Sequence, residues 1–97
     1  MTQQVLTVLG STGSIGESTL DVVARHPDKF RLFALAGHTQ VAKLANQCQR
    51  FQPRFAVVAD AEHAAQLTAL LRTAQCNTEV LYGSQALIDV SQADEVD

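Results

Sequence analysis

The 97-residue sequence predicts an α/β fold, the N-terminal half of a doubly wound parallel sheet. Three observations carry that expectation. Short apolar, β-rich runs alternate with segments whose apolar residues recur at helical spacing, and such alternation implies parallel strands joined by right-handed helical crossovers. The first of these runs, Val5-Leu-Thr-Val-Leu9, leads straight into Gly10-Ser-Thr-Gly-Ser-Ile-Gly16, a glycine spacing suited to a tight strand-to-helix corner. Pro27, Gly37, Pro53 and Asn77 then punctuate the chain between the periodic segments.

The elements follow in order. The first strand is Val5–Leu9. A first helix runs from Ser14 to His26 with Ile15, Thr19, Val22 and Val23 on one face. Arg25 and His26 suit its negative end, and Pro27 stops it. Strand two is Phe30–Ala36, followed by the loop Gly37-His38-Thr39-Gln40, in which Thr39 is expected to cap the next helix. That helix carries Val41, Leu44, Ala45, Cys48 and Phe51 on its buried face, and Pro53 leads to strand three, Phe55–Ala59. Asp60 caps a third helix with Ala64, Leu67, Leu70 and Leu71 as its stripe. Cys76-Asn77 forms a turn, Glu79–Tyr82 a fourth strand and Ser84–Ser91 a short helix.

Composition narrows the function classes. A net charge of −3 without a basic cluster argues against a nucleic-acid partner. No apolar run approaches the roughly 20 residues of a membrane span, and no signal-peptide layout opens the chain, so the cytoplasm is expected. Cys48 and Cys76 are isolated thiols, expected to be reduced and structural.

The glycine corner carries the chemistry. A helix starting immediately after a buried strand points free N–H groups outward, and its positive end attracts phosphate. Gly10 permits the turn, Gly13 keeps a Cβ away from an approaching diphosphate, and Gly16 lets the helix sit close. This is the phosphate-binding corner of a Rossmann-like domain, with the spacing G-x-x-G-x-x-G in place of G-x-G-x-x-G. The extra residue places Ser11, Thr12 and Ser14 hydroxyls beside the phosphates, with backbone N–H donation from Thr12, Gly13, Ser14 and Ile15. At the end of strand two, about 20 residues beyond the last glycine, NAD-binding chains place a carboxylate. Here the chain has Gly37, His38, Thr39 and Gln40: backbone access and three hydrogen-bonding side chains. Lys43 and Arg31 are nearby cations. NADP(H) is therefore expected over NAD(H).

Other polar residues have plainer readings. Asp21 is a lone carboxylate, Asp60 and His63 suit a helix start, and Asp94, Glu95 and Asp97 form an acidic surface stretch. His26 is a helix-end cation when protonated. No catalytic or metal-ligating residue is expected in this chain.

The run Gly10–Gly16 followed by Ser18-Thr-Leu-Asp-Val-Val23 resembles the N-terminus of the 1-deoxy-D-xylulose 5-phosphate reductoisomerase family. Phe30–Leu35, Pro53–Val57 and Thr78–Leu81 with Gly83 extend the resemblance over residues 5–97. The family rearranges and reduces a pentulose phosphate to 2-C-methyl-D-erythritol 4-phosphate in non-mevalonate isoprenoid synthesis. It uses NADPH and a divalent metal, Mg or Mn, and is inhibited by fosmidomycin. The resemblance implies a homodimer with a small phosphosugar substrate, and a pyrophosphate loop of Thr12, Gly13, Ser14 and Ile15. His38, Thr39 and Gln40 fall where many relatives have Gly-Lys-Asn, so the 2′-phosphate loses a lysine unless His38 or a nearby cation compensates. The metal ligands, substrate-phosphate residues and lid of the family lie in later segments. Residues 1–97 are thus expected to be the first part of an NADP(H)-binding domain, able to bind cofactor but not to catalyse.

The ending fits that expectation, because in the strand order 3-2-1-4 the first strand pairs with a strand of the second half. Ending at Asp97 would leave its edge open, so a fragment of a longer enzyme is expected. Two rivals stand beside this reading. A semialdehyde or acyl-phosphate dehydrogenase shares the glycine spacing but needs a later catalytic cysteine. A non-catalytic dinucleotide-binding module needs a covered sheet edge.

Overall fold

Strand and helix alternate as β1 (Gln4–Leu9), α1 (Ser14–Arg25), β2 (Phe30–His38), α2 (Val41–Phe51), β3 (Phe55–Val58), α3 (Ala61–Thr73), β4 (Glu79–Tyr82) and α4 (Ser84–Ser91). The computed structural model describes residues 3–97, so Met1 and Thr2 of the expected 1–97 domain lie outside the described residues. All strand pairs are parallel and the order is β1-β2-β3-β4. Each crossover steps one strand in the same direction, which puts the first three helices on one face of the sheet. On that face Leu20 and Val23 of α1, Leu44 and Cys48 of α2, and Leu67 and Leu71 of α3 pack on Val8, Leu32, Leu35, Ala56 and Val58. Val90 of α4 covers the opposite face over Phe33, Ala34, Ala36 and Val57.

Two irregularities in β2 set which side chains reach which face. Leu6 pairs with Leu32 but Thr7 with Ala34, so Phe33 is an inserted residue. The bulge puts Phe33 and Ala34 on the same side, where Phe33 meets Phe55 edge-on with centroids 5.3 Å apart. A second shift lies between Ala36 and His38 and inserts Gly37. Because of it β2 runs on to His38, two residues past its expected end.

Other departures have simple causes. Gly16, Leu20 and Val23 are the buried residues of α1, whereas Ile15 is 86% and Val22 49% exposed. The expected face was about one residue out of phase, because close packing of Gly16 on the loop fixes the helix rotation. His26 is the C-cap of α1 and not part of it. Leu70 is 43% exposed, so the stripe of α3 is Ala64, Leu67 and Leu71. The fourth strand extends the sheet beyond β3. Among the described residues β1 has β2 as its strand partner, and Asp97 lies on its other edge. There the Asp97 N–H donates to Val5 O at 2.9 Å, and the Val5 N–H donates to Asp97 Oδ2 at 2.6 Å.

Candidate functional site

The C-terminal ends of parallel strands are where an open α/β sheet binds ligands, and the glycine corner sits there, directly after β1. Gly10 takes φ +66°, a left-handed conformation that costs glycine little. The Ser11 N–H then donates to Ala36 O at 2.8 Å, tying the corner to the end of β2. A Cβ on Gly16 would lie 2.2 Å from Gly10 O and 2.6 Å from Ser11 Cα. The first turn of α1 therefore rests on the corner's own backbone, and only glycine fits. Gly13 differs, since a Cβ there would meet only Gly10 O at 3.5 Å. Packing within the chain leaves Gly13 free to vary.

A census of backbone N–H groups defines what the corner offers. The Gly13 N–H donates to Gly10 O at 3.0 Å, and the Glu17 N–H to Gly13 O at 2.8 Å. The N–H groups of Thr12, Ser14, Ile15 and the buried Gly16 have no protein acceptor among the described residues. Of these, the Thr12, Ser14 and Ile15 donors belong to residues that are not buried, and such unpaired N–H groups at the positive end of a helix make an anion cradle. Gly13, expected to donate as well, spends its N–H closing the turn. Its place in the loop stands, and its contribution is the missing side chain.

Ser11 requires a larger correction. It is 0% exposed, and its hydroxyl donates to Gln47 Oε1 at 2.8 Å, with Ala36 O at 3.4 Å. Gln47 Nε2 donates back to Ser11 O at 2.8 Å. The hydroxyl expected beside phosphate is thus turned inward and anchors the loop to α2. Thr12 is half-buried, while Ser14 and Ile15 are exposed at the corner.

The second group of candidates lies at the end of β2. Gly37 is buried, and a Cβ there would meet Thr12 Cγ2 at 2.9 Å and Leu44 Cβ at 3.2 Å. Packing against these neighbours is by itself enough to require glycine here. His38, Thr39 and Gln40 are all exposed, and His38 has φ +50°. Gln40 is the N-cap of α2, without a side-chain cap bond. Thr39 was expected in that role. The Val41 N–H instead takes Thr39 O at 2.9 Å, a backbone bond that leaves the Thr39 hydroxyl uncommitted. No acidic residue lies in the first turn of α2, so that positive end stands beside three polar side chains. Leu9, Gly10, His38, Val58, Gly83 and Leu87 line a cleft of ≈ 390 Å³ between the two groups.

The two nearby cations separate. Arg31 pairs with Val5 near the starts of β1 and β2, at the end of the sheet opposite the cleft. Lys43 of α2 reaches the corner, where its Nζ donates to Thr12 O at 3.0 Å and pairs with Glu17. Gln47 and the bracing role of Lys43 went unseen in the sequence. The available signal was their spacing of four, which puts both on one side of α2.

Elsewhere the plain readings hold. Asp60 caps α3, with Oδ1 accepting from the His63 N–H at 2.9 Å. That backbone bond, followed by the His63 ring at 2.7 Å, lowers the Asp60 carboxyl below its ordinary range. Asp21, Asp94 and Glu95 are exposed. Burial pushes the Cys48 thiol up to about 12, with Cys76 adding to the rise. The Cys76 thiol lies 3.6 Å from Cys48 O, in the turn entering β4 and so away from the cleft. Neither thiol is placed for nucleophilic work in the cleft. Among the described residues no group of three or more His, Cys, Asp or Glu side chains could hold a metal ion.

Comparison with known proteins adds the family context. Residues 6–97 match the family described as 1-deoxy-D-xylulose 5-phosphate reductoisomerase. The enzyme of that name from Paraburkholderia xenovorans is 60% identical over 95 residues, covering 98% of this chain and 24% of the relative. That from Burkholderia multivorans is 59% identical over the same length. Among solved structures, a DOX-P reductoisomerase in complex with NADPH, fosmidomycin and magnesium superposes with a TM-score of 0.91. It is 36% identical, and the match covers 97% of this chain and 23% of that one. The Zymomonas mobilis 1-deoxy-D-xylulose 5-phosphate reductoisomerase in complex with NADPH gives a TM-score of 0.84 at 36% identity, over 92% of this chain and 23% of that one. The chain thus spans about a quarter of the length of the relatives it matches.

Proposed function

The chain belongs to the 1-deoxy-D-xylulose 5-phosphate reductoisomerase family, and on that premise we propose that it is the NADPH-binding portion of such an enzyme. The full protein would convert 1-deoxy-D-xylulose 5-phosphate to 2-C-methyl-D-erythritol 4-phosphate in non-mevalonate isoprenoid synthesis. One observation carries the reading: among the described residues, the N–H groups of Thr12, Ser14 and Ile15 are unpartnered at the start of α1. They suit the diphosphate of a dinucleotide, and Gly13 leaves room for it to approach. When bound, the cofactor supplies a hydride.

This chain's residues bind and orient. Thr12, Ser14 and Ile15 grip the diphosphate, helped by the Thr12 and Ser14 hydroxyls. His38, Thr39 and Gln40 take the adenosine end, where the start of α2 favours a 2′-phosphate and no carboxylate repels it. The apolar cleft by Leu9, Val58 and Leu87 excludes water from part of the cofactor. Following the family resemblance, we place the metal and phosphosugar sites in the rest of the relatives' length. The reading extends to a cytoplasmic homodimer. No described helix is long and apolar enough to cross a membrane.

Fluorescence titration of the full-length protein tests the proposal. NADPH should bind more tightly than NADH, and Gly13→Val should abolish NADPH binding while the circular dichroism spectrum stays native. Undiminished NADPH affinity in a folded Gly13→Val protein would count against the loop.

A further inference from the structure

We propose that Gln47 and Lys43 of α2 are positioning residues that hold the phosphate loop with the Thr12 amide facing out and the Ser11 and Thr12 carbonyls drawn back; this rests on the NADPH reading above. Within one planar trans unit the C=O of a residue and the N–H of the next point in opposite directions. Gln47 Nε2 holds Ser11 O at 2.8 Å, pulling that carbonyl toward α2 and turning the Thr12 N–H the other way. Lys43 Nζ holds Thr12 O at 3.0 Å, which directs the Gly13 N–H toward Gly10 O and closes the turn. Two successive carbonyls are thereby drawn back from the place a diphosphate would occupy, where they would repel it.

The geometry of the pair is reciprocal at one prong and electrostatic at the other. Ser11 Oγ donates to Gln47 Oε1 at 2.8 Å while Gln47 returns a bond to Ser11 O, so the amide is fixed in one orientation. Ser11 is fully buried, and losing the donor would strand its carbonyl without a partner. Lys43 is paired with Glu17, and that carboxylate offsets its charge. Lys43 is therefore a strut between α2, the loop and α1, and not the cation for the 2′-phosphate. Gln47 carries the larger share, because the Lys43 pair is about half exposed and screened.

The test uses the full-length protein and two probes, NADPH and adenosine 2′-monophosphate, with melting temperature measured in parallel. Gln47→Glu keeps the shape and removes the donor. It should weaken NADPH by about tenfold, the scale of one hydrogen bond, and leave adenosine 2′-monophosphate unchanged, since that probe has no diphosphate. Lys43→Met should do the same to a smaller extent, with Lys43→Arg restoring affinity. Wild-type NADPH affinity in both Gln47→Glu and Lys43→Met overturns the proposal. So does a parallel loss of both probes with a fall in melting temperature, which marks a merely structural role. If Gln47→Glu does not fold, the ratio of the two probes in Lys43→Met decides by the same criterion. Wild-type protein that fails to bind NADPH refutes the function itself, a result distinct from these.

Discussion

Gly16 shows how one residue can determine the corner. With Gly10 O 2.2 Å and Ser11 Cα 2.6 Å from an added Cβ, both obstacles are backbone and neither can rotate aside. Gly16→Ala should destabilise the protein by about 1–3 kcal/mol, the cost of overpacking. Chemical denaturation of the full-length protein measures it, and an unchanged midpoint and slope would show that the loop yields freely. Ser11 teaches a complementary lesson. Its type and place in the loop suggest a phosphate contact, but nothing in a one-letter string says which loop side chain turns inward. That was decided by Gln47, thirty-six positions away. Gly37 follows the same logic, because its need for no side chain comes from Thr12 and Leu44, neighbours only after folding.

Elements were legible where periodicity and caps agreed. In α2, Val41, Leu44, Ala45 and Cys48 are buried at their expected spacing, and β4 and α4 keep their expected bounds. In α1 periodicity misled, because Ile15 and Val22 are apolar and outward while a glycine sets the packing face. Leu70 misled in the same way. The extension of β2 depends on a bulge at Gly37, and such insertions leave no period in the sequence. The cap of α3 yields a pH prediction. Asp60 has a folded pKa below its ordinary value, so its stabilisation is present above the unfolded carboxylate range, about 3.9, and disappears as pH falls through the lower folded value. Asp60→Ala should therefore lower the melting temperature at neutral pH, with the gap to wild type closing at acidic pH. An equal gap at both would mean that the carboxylate contributes nothing through its charge.

At the scale of the whole molecule, sheet direction gathers the site. Parallel strands deliver the glycine corner after β1, His38 at the end of β2 with Thr39 and Gln40 beyond it, and Gly83 after β4 to the same end of the sheet. Arg31 comes near the start of a strand and so falls at the opposite end, although the sequence places it close to the candidate loop. Parallel α/β architecture and the glycine corner could be read from alternation and spacing. The inward anchoring of the corner by α2 required the fold. In the proposed function the amides of this corner hold the diphosphate of NADPH. A crystal structure of the full-length protein with NADPH bound tests it most directly. The diphosphate oxygens should lie about 2.7–3.2 Å from the backbone nitrogens of Thr12, Ser14 and Ile15, whereas a diphosphate seated away from all three would contradict the account.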